Sequence, residues 1–263
     1  MLLPNVANLK TWRLIVDPPR PGAENMALDE ALLEAVRSGE SPPTLRFYGW
    51  DPPCLSLGAF QALVEVDREA CAELGIDVVR RPTGGRAVLH HREVTYAVVL
   101  PRAAAGRPRE VYLKICRGIL RGLEKLGVRA DFAPVGSHRR GGGPSCFAAV
   151  SDYEVLVGGR KLVGNAQVWR SGNLLQHGAV LLSADRALWA RLMGQPDAAD
   201  GLIGLLEVRP GLTFNQVVGA LAAGFAEEFG VSLMAGGWGS AELERAGRLV
   251  QEKYARSSWT GRR

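Results

Sequence analysis

Apolar positions along the chain fall into short alternating runs and longer runs of helical spacing, and the two kinds take turns along its length. "TWRLIVD" reads as a first strand. "GAENMALDEALLEAVRSGE" follows, with apolar residues at helical spacing behind a start that holds Asn25 and Asp29. "TLRFYGW" and "PCLSLGAF", parted by the turn signal "DPP", predict a hairpin or two adjacent strands. A short helix, "DREACAELGI", stops at Gly75 and feeds the strand "DVVRRP", while "AVLHHREVTYAVVLP" alternates as a pair of strands. A long helix is predicted over 110–126, with Gly127 as its stop. Beyond the glycine-rich "SHRRGGGPSC" come the strand "YEVLVGG" and the run "KLVGNAQVWRSGNLLQHGAVLLS", two strands joined at "SGN". Helical spacing dominates from Ala184 onward.

Strands with interspersed helices and tight turns predict an α+β fold, a mixed β-sheet flanked by helices, rather than a regular doubly wound sheet. No repeat, low-complexity segment or long linker interrupts the pattern, so 1–263 reads as one domain with a mainly helical C-terminal part. A hydrophobic content of 47% over 263 residues is ample for a core. The most apolar runs carry charges, which argues against a membrane span, and the first residues lack a signal-peptide pattern. Cys54, Cys71, Cys116 and Cys146 are widely spaced, without a CxxC pair or a histidine at zinc-ligand spacing. This usage predicts free thiols in the cytoplasm and no metal. The net charge of +5 favours acidic partners, yet the basic residues are scattered, and nucleic acid is not indicated.

The densest cluster of arginine and glycine is "RRPTGGRAVLHH". Gly84 and Gly85 permit close backbone approach to a ligand, and Arg80, Arg81 and Arg86 suit carboxylate or phosphate groups. The cluster has neither the GK[ST] ending of a phosphate loop nor GxGxxG, and a tight turn with solvated arginines explains it equally. Cys146 follows "RRGGGP" and so belongs to a loop. A free thiol is mostly protonated at neutral pH, and a nearby ammonium favours the thiolate, the actual nucleophile. Lys161 begins a strand after "VGGR", where a hairpin returns it towards that loop. From the residues alone Cys146 stays open between packing, metal ligation and nucleophilic chemistry. His90 and His91 are adjacent, point to opposite faces of a strand and share no metal. His177 sits at a strand position where it lines a pocket or is satisfied structurally, and His138 falls in the loop. No Ser-His-Asp arrangement emerges, and Asp152 and Glu154 read as surface carboxylates or loop caps.

Taken together, "RRPTGGRAVLHHREVTYAVVLP", "GRKLVGNAQ" and "LLQHGAVLL" resemble the superfamily of lipoate and biotin ligases and octanoyltransferases. The likeness extends through "ENMALDEALL", "PPCLSLGAFQ" and "EKYARSSW", and within the superfamily it is most similar to octanoyltransferases of the LipM type. The resemblance implies the biotin/lipoate ligase-like catalytic fold and a dyad of Cys146 as nucleophile and Lys161 as activator. It implies transfer of octanoyl from octanoyl-acyl carrier protein to Cys146, then to a lysine of a lipoyl domain such as the glycine cleavage H protein, without ATP or another cofactor. Thioester exchange is nearly isoenergetic and thioester to amide runs downhill, and a covalent acyl-enzyme divides the transfer into two steps.

Substrate contacts are then expected from Arg80, Thr83, Gly84, Gly85, Arg86, His90, Gly164, Asn165, Ala166, His177 and Gly178. Of these, Gly84, Gly85, Gly164, Ala166, His177 and Gly178 are the expected lining of an octanoyl slot, and the Gly164–Asn165 turn is the expected oxyanion donor. A monomer is the expected state. The alternatives are an ATP-dependent lipoate–protein ligase, an octanoyl amidotransferase between lipoyl domains, and a non-catalytic effector-binding module. The ligases typically carry a third glycine where this chain has Arg86, and lack the cysteine.

Overall fold

The computed structural model describes residues 9–133, 154–194 and 200–263. In chain order the elements are β1 (Thr11–Val16), α1 (Gly22–Ser38), β2 (Thr44–Tyr48), β3 (Cys54–Leu57), α2 (Arg68–Glu73), β4 (Asp77–Arg80), β5 (Val88–His90) and β6 (Glu93–Leu100). Then come α3 (Arg102–Ala105), α4 (Pro108–Lys125), β7 (Asp131–Phe132), β8 (Val155–Val157), β9 (Arg160–Lys161), β10 (Val163–Arg170) and β11 (Asn173–Leu181). The chain ends with α5 (Arg186–Met193), α6 (Leu205–Val208), α7 (Phe214–Phe229), β12 (Ser232–Ala235), α8 (Ser240–Leu249) and α9 (Ser257–Thr260). This is the α+β architecture expected, with mixed sheets flanked by helices.

Among the described residues the strands form a six-stranded sheet in the order β10-β11-β6-β2-β1-β12 and two three-stranded sheets, β4-β3-β5 and β7-β8-β9. β1 runs parallel to β2 and β12, and the other neighbours in the large sheet are antiparallel. Helices cover both faces of that sheet. Leu45 and Phe47 of β2, with Tyr96 and Val98 of β6, pack with Ile119 of α4 and Phe225 of α7. Tyr48, Ala97 and Val99 turn the other way, onto Met26, Leu32 and Val36 of α1. Every residue of β6 is buried, as expected of a central strand with two covered faces. The helices α4 and α7 touch through glycine: a Cβ on Gly224 would lie 2.3 Å from the Gly118 carbonyl oxygen, so no larger residue fits there.

Several sequence expectations are corrected. β2 and β3 are not a hairpin, because β3 leaves for the small sheet with β4 and β5. β5 and β6 likewise belong to different sheets, so "AVLHHREVTYAVVLP" bridges two sheets instead of forming a pair. The predicted helix over 110–126 is Pro108–Lys125, proline fitting the first turn because its missing N–H would be unpaired there anyway. β10 and β11 are the expected hairpin, turning at Ser171 and Gly172 with φ of 50° and 82°. The C-terminal part is helical apart from β12. No helix among the described residues is long and apolar enough to cross a membrane.

Candidate active site

A hollow enclosing about 370 Å³ of non-atom space, part of it open to solvent, lies where the six-stranded sheet meets the sheet β4-β3-β5. Met26 of α1, Tyr48, Trp50, Val88 and Ala179 supply apolar wall, and Ser56, Arg81, His90, Thr95 and His177 supply polar groups. One side is the β10–β11 pair, where Gly164, Asn165 and Ala166 stand opposite Ala179, Gly178 and His177. Gly164, Ala166 and Ala179 withhold side-chain volume and leave the hollow, whereas the space a Cβ on Gly178 would take is filled by Asn165 and Tyr96.

Two hydrogen-bonded chains run outward from Arg81 to the cavity histidines. In the first, Arg81 Nε donates to Thr83 Oγ1 at 3.1 Å, and Thr83 Oγ1 lies 2.7 Å from His177 Nε2. His177 Nδ1 lies 2.8 Å from Asp29 Oδ2. Because the threonine oxygen accepts from arginine, its hydrogen goes to Nε2, and His177 carries its proton on Nδ1 towards Asp29. In the second, Arg81 NH1 donates to Ser56 Oγ at 3.2 Å, Ser56 Oγ lies 2.8 Å from His90 Nε2, and His90 Nδ1 lies 2.6 Å from Glu93 Oε1. Thr95 donates to the same Glu93 oxygen at 2.6 Å, and Trp50 Nε1 donates to Thr95 Oγ1 at 2.7 Å. The Trp50 ring also stacks on His90, with centroids 4.0 Å apart.

Asp29 is anchored further. Arg46 donates to its Oδ1 at 2.7 Å and Tyr48 to its Oδ2 at 2.9 Å, while Arg46 also engages Asp17 at 2.8 Å. Burial works to raise the pKa of Asp29, but the hydrogen bond from His177 and the charge of Arg46 outweigh it and hold the carboxyl below its ordinary range. Burial lowers the pKa of His177, with Arg81 and His90 pushing the same way against the pull of Asp29, so the imidazole is neutral at pH 7. Asn25 and Asp29 therefore do not cap α1, which starts at Gly22 behind Pro21; they form its buried polar stripe.

The expected site residues divide into groups. His90, Gly164, Asn165, Ala166, His177 and Gly178 line the cavity, whereas Arg80, Thr83, Gly84, Gly85 and Arg86 are not in its wall. Thr83 stands one step behind, holding His177. Gly84 and Arg86 offer their carbonyls to Arg81 NH2, each at 2.7 Å, with Gly85 between them. Arg86 pairs with Glu65. Arg80 is fully buried and donates to the carbonyls of Gly58, Gln61 and Thr260. The alternative of a turn with solvated arginines is thus corrected for Arg80 and Arg81, whose guanidinium groups are needed to satisfy inward-facing carbonyls. Gly164 and Asn165 do not form a turn; both lie within β10, an edge strand, in which alternate N–H groups point away from the ladder.

Lys161 is 1% exposed and donates to Glu154 Oε1 at 2.5 Å. Glu154 is 5% exposed, which corrects its reading as a surface carboxylate. Gly158 and Gly159, with φ of 55° and 77°, make the two-residue turn that sets Lys161 opposite Leu156 and so brings it beside Glu154. Cys146, His138 and Asp152 lie outside the described residues. Cys54, Cys71 and Cys116 are buried free thiols; burial pushes Cys71 up to about 11 and Cys116 up to about 12, so neither is a thiolate at neutral pH. Among the described residues no three His, Cys, Asp or Glu side chains gather into a metal-binding group.

Residues 21–226 match the family model of the lipoyl protein ligase A/B catalytic domain, and the chain belongs to that family. Octanoyltransferase LipM of Symbiobacterium thermophilum is 42% identical over 271 aligned positions, covering 96% of this chain and 98% of that one. Octanoyltransferase LipM of Kyrpidia tusciae is 44% identical, covering 97% and 100%. Among solved structures, a putative lipoate protein ligase from T. acidophilum with bound lipoic acid aligns with a TM-score of 0.84 at 23% identity, covering 96% and 99%, a likeness of fold.

Proposed function

We propose that the chain is an octanoyltransferase that moves octanoyl from acyl carrier protein through a thioester on Cys146 to a lipoyl-domain lysine, in lipoate biosynthesis. It acts as a single catalytic domain, without ATP. The glycine cleavage H protein is the acceptor domain proposed. Relatives of this name at 42% and 44% identity over nearly the whole chain support the acyl-transfer reading.

The observation that carries it is the state of the arginines. Arg81 places its Nε on Thr83, NH1 on the Ser56 carbonyl and hydroxyl, and NH2 on the carbonyls of Gly84 and Arg86. Those contacts occupy all five N–H donors of a guanidinium. Arg80 is likewise committed to backbone carbonyls. A ligase must hold a free carboxylate and then an acyl-phosphate, both anionic, whereas an acyl thioester is uncharged. A cavity arginine, Arg81, that is already engaged, beside a neutral His177, suits the uncharged donor.

In the first step the Cys146 thiolate, supported by the Lys161 ammonium, attacks the octanoyl carbonyl, and the carrier thiol leaves with a proton. In the second, the acceptor amine attacks the Cys146 thioester, its proton is taken up, and the cysteine departs as thiol once protonated. The alkyl tail lies in the cavity beside Ala166 and Gly178, where each buried methylene contributes about 0.8 kcal/mol. Incubation with octanoyl-acyl carrier protein followed by peptide mass spectrometry tests the reading. An octanoyl adduct on Cys146, absent in Cys146→Ser, is the expected result. No adduct, together with ATP-dependent lipoate attachment to a lipoyl domain, would establish the ligase instead.

A further inference from the structure

The two most exposed large apolar side chains among the described residues, Phe60 at 75% and Val64 at 91%, stand four positions apart in the segment between β3 and α2. Their exposure is not the slack of a loose loop. Arg80 NH1 donates to the carbonyls of Gly58 and Gln61 at 2.7 and 2.6 Å, on either side of Phe60. Ala59 N donates to the Thr83 carbonyl at 2.8 Å, and Arg262 NH2 to the Ala59 carbonyl at 3.0 Å. A backbone tied at Gly58, Ala59 and Gln61 thus holds both side chains in water, although covering them would stabilise by about 25 cal/mol for each Å² of apolar surface. An apolar patch presented by a pinned segment marks a contact surface.

Positive charge surrounds the pair. The Arg263 guanidinium lies 5.9 Å from the centre of the Phe60 ring, and the Arg263 carbonyl accepts from Leu63 N at 3.1 Å. The Arg262 guanidinium lies on the Trp259 ring of α9, 3.6 Å from its centre. Arg86 flanks Val64 through its ion pair with Glu65. Arg80 is buried beneath, with its Nε and NH2 on the Thr260 carbonyl. Arg80, Arg262 and Arg263 thus meet carbonyls and rings, and among the described residues no carboxylate pairs with any of the three. Burial lowers the pKa of Arg80, and the charges of Arg262 and Arg263 press the same way. Arg262 is lowered by burial and by Arg263, against the pull of Tyr254 and Glu30. Three cations gathered without an anion leave a positive field over the apolar pair.

We propose that Phe60, Val64, Arg262 and Arg263 form the docking surface for the acyl carrier protein, with the apolar pair at its centre and the arginines at its rim. The proposal rests on the octanoyl-transfer reading. Aromatic residues and arginine are the side chains that protein interfaces favour. Charge selects the donor over the acceptor. The donor's acyl group hangs on an arm that carries a phosphodiester, an anion. The acceptor offers a lysine, whose ordinary pKa of about 10.4 makes it a cation at neutral pH. A cationic rim attracts the first and repels the second.

Position agrees with charge. A Cβ on Gly58 would lie 1.8 Å from the Gly85 carbonyl oxygen, so the segment rests directly on the glycine–arginine turn. Thr83, whose carbonyl holds Ala59, is also the residue that bonds His177 in the cavity wall. A carrier docked on Phe60 therefore stands one layer of backbone from the hollow that receives its acyl group. The patch is small, which suits a carrier that must leave after each delivery.

The test is a binding titration of the full chain against fluorescently labelled acyl carrier protein bearing octanoyl through an amide, which cannot transfer. Wild type, Phe60→Ser, Arg263→Ala and Arg262→Gln are compared by anisotropy, glutamine retaining an N–H for the Ala59 carbonyl. Each variant is expected to weaken binding about tenfold. The two arginine variants should also flatten its dependence on salt. Met234→Ser, which removes a 63% exposed apolar side chain on β12 instead, should bind as wild type does. Thiol release from octanoyl-pantetheine, a donor with neither carrier nor phosphate, should be unchanged in every variant when a lipoyl domain is supplied. Wild-type affinity in Phe60→Ser and Arg263→Ala overturns the inference and leaves the transferase reading in place. So does loss of lipoyl-domain binding with carrier binding intact, which makes the patch the acceptor's dock. Equal losses with octanoyl-pantetheine and with the carrier overturn it too, since they report damage to the cavity. Failure of wild type to bind the carrier also overturns it, and if octanoyl-pantetheine then releases no thiol, the transferase reading falls as well.

Discussion

Replacing Asp29 by asparagine tests the polar scaffold behind the cavity, because it removes one charge while keeping side-chain volume. Asp29 is completely buried and takes hydrogen bonds from Arg46, Tyr48 and His177 at 2.7, 2.9 and 2.8 Å. The amide keeps one acceptor oxygen. If that oxygen serves Arg46, the new NH2 faces Tyr48 and His177, and His177 must move its proton to Nε2 to accept at Nδ1. Arg46, itself fully buried, then has Asp17 as its anion, at 2.8 Å. Breaking a buried ion pair costs about 3–5 kcal/mol. The surviving contact with Asp17 selects the low end, about 3 kcal/mol, and a chain of this size loses about 2–4 °C per kcal/mol, which gives a fall in Tm of about 6–12 °C. Differential scanning calorimetry on Asp29→Asn measures it directly. A fall below about 2 °C would refute the argument, because it would mean that Arg46 loses nothing when one of its two anions is removed.

Two further predictions concern the cavity and its histidine. Ala166→Leu, from the half-buried cavity wall, should displace about two methylenes of the acyl tail at about 0.8 kcal/mol each, lowering octanoyl loading about 15-fold while butanoyl loading holds; equal losses for both chains, in a loading assay followed by intact-protein mass spectrometry, would contradict this placement of the tail. Stability should fall as pH drops through about 6.5, because the folded pKa of His177 lies below 6.5 and the unfolded chain binds the extra proton first. Below it the depressed pKa of Asp29 acts in the same direction, its contribution present above 3.8 and lost as pH falls through the folded value. Urea midpoints across that range should slope less in His177→Gln than in wild type, and identical slopes would remove His177 as the cause.

The elements legible in the sequence are those defined by local signals. The turn "SGN" marks the β10–β11 hairpin because positive φ at Ser171 and Gly172 is a local demand, and α4 is visible from its own apolar spacing. The assignment of strands to sheets was hidden because it depends on distant partners. β3 leaves β2 since its neighbours are β4 and β5, and β12 escapes notice inside a helical region because it is a short edge strand of four residues, mostly exposed, held by β1. Alternation says that a strand exists, and only pairing says where it goes.

The cavity follows the same division. Gly164, Ala166 and His177 stand out locally, since small residues facing a histidine across a strand pair announce a hollow. Asp29 and His177, separated by 148 positions, meet only when α1 crosses the face of β11, and the glycine–arginine cluster shows its arginines as candidate ligand groups although folding commits them to carbonyls. One sign of Asp29 was present nonetheless: Asn25 and Asp29 are four apart on a helix whose neighbouring positions are apolar, so both lie on one buried face, where Asn25 needs hydrogen-bond partners and Asp29 a buried cation, and Arg46 serves both. The Lys161–Glu154 pair was readable by the same kind of counting. Two glycines that close a two-residue turn fix Val157 against Arg160 and Leu156 against Lys161, and the alternation of side chains then puts Glu154 on the lysine's face. The pairing therefore follows from turn geometry and register, and the burial of both side chains shields the contact from water.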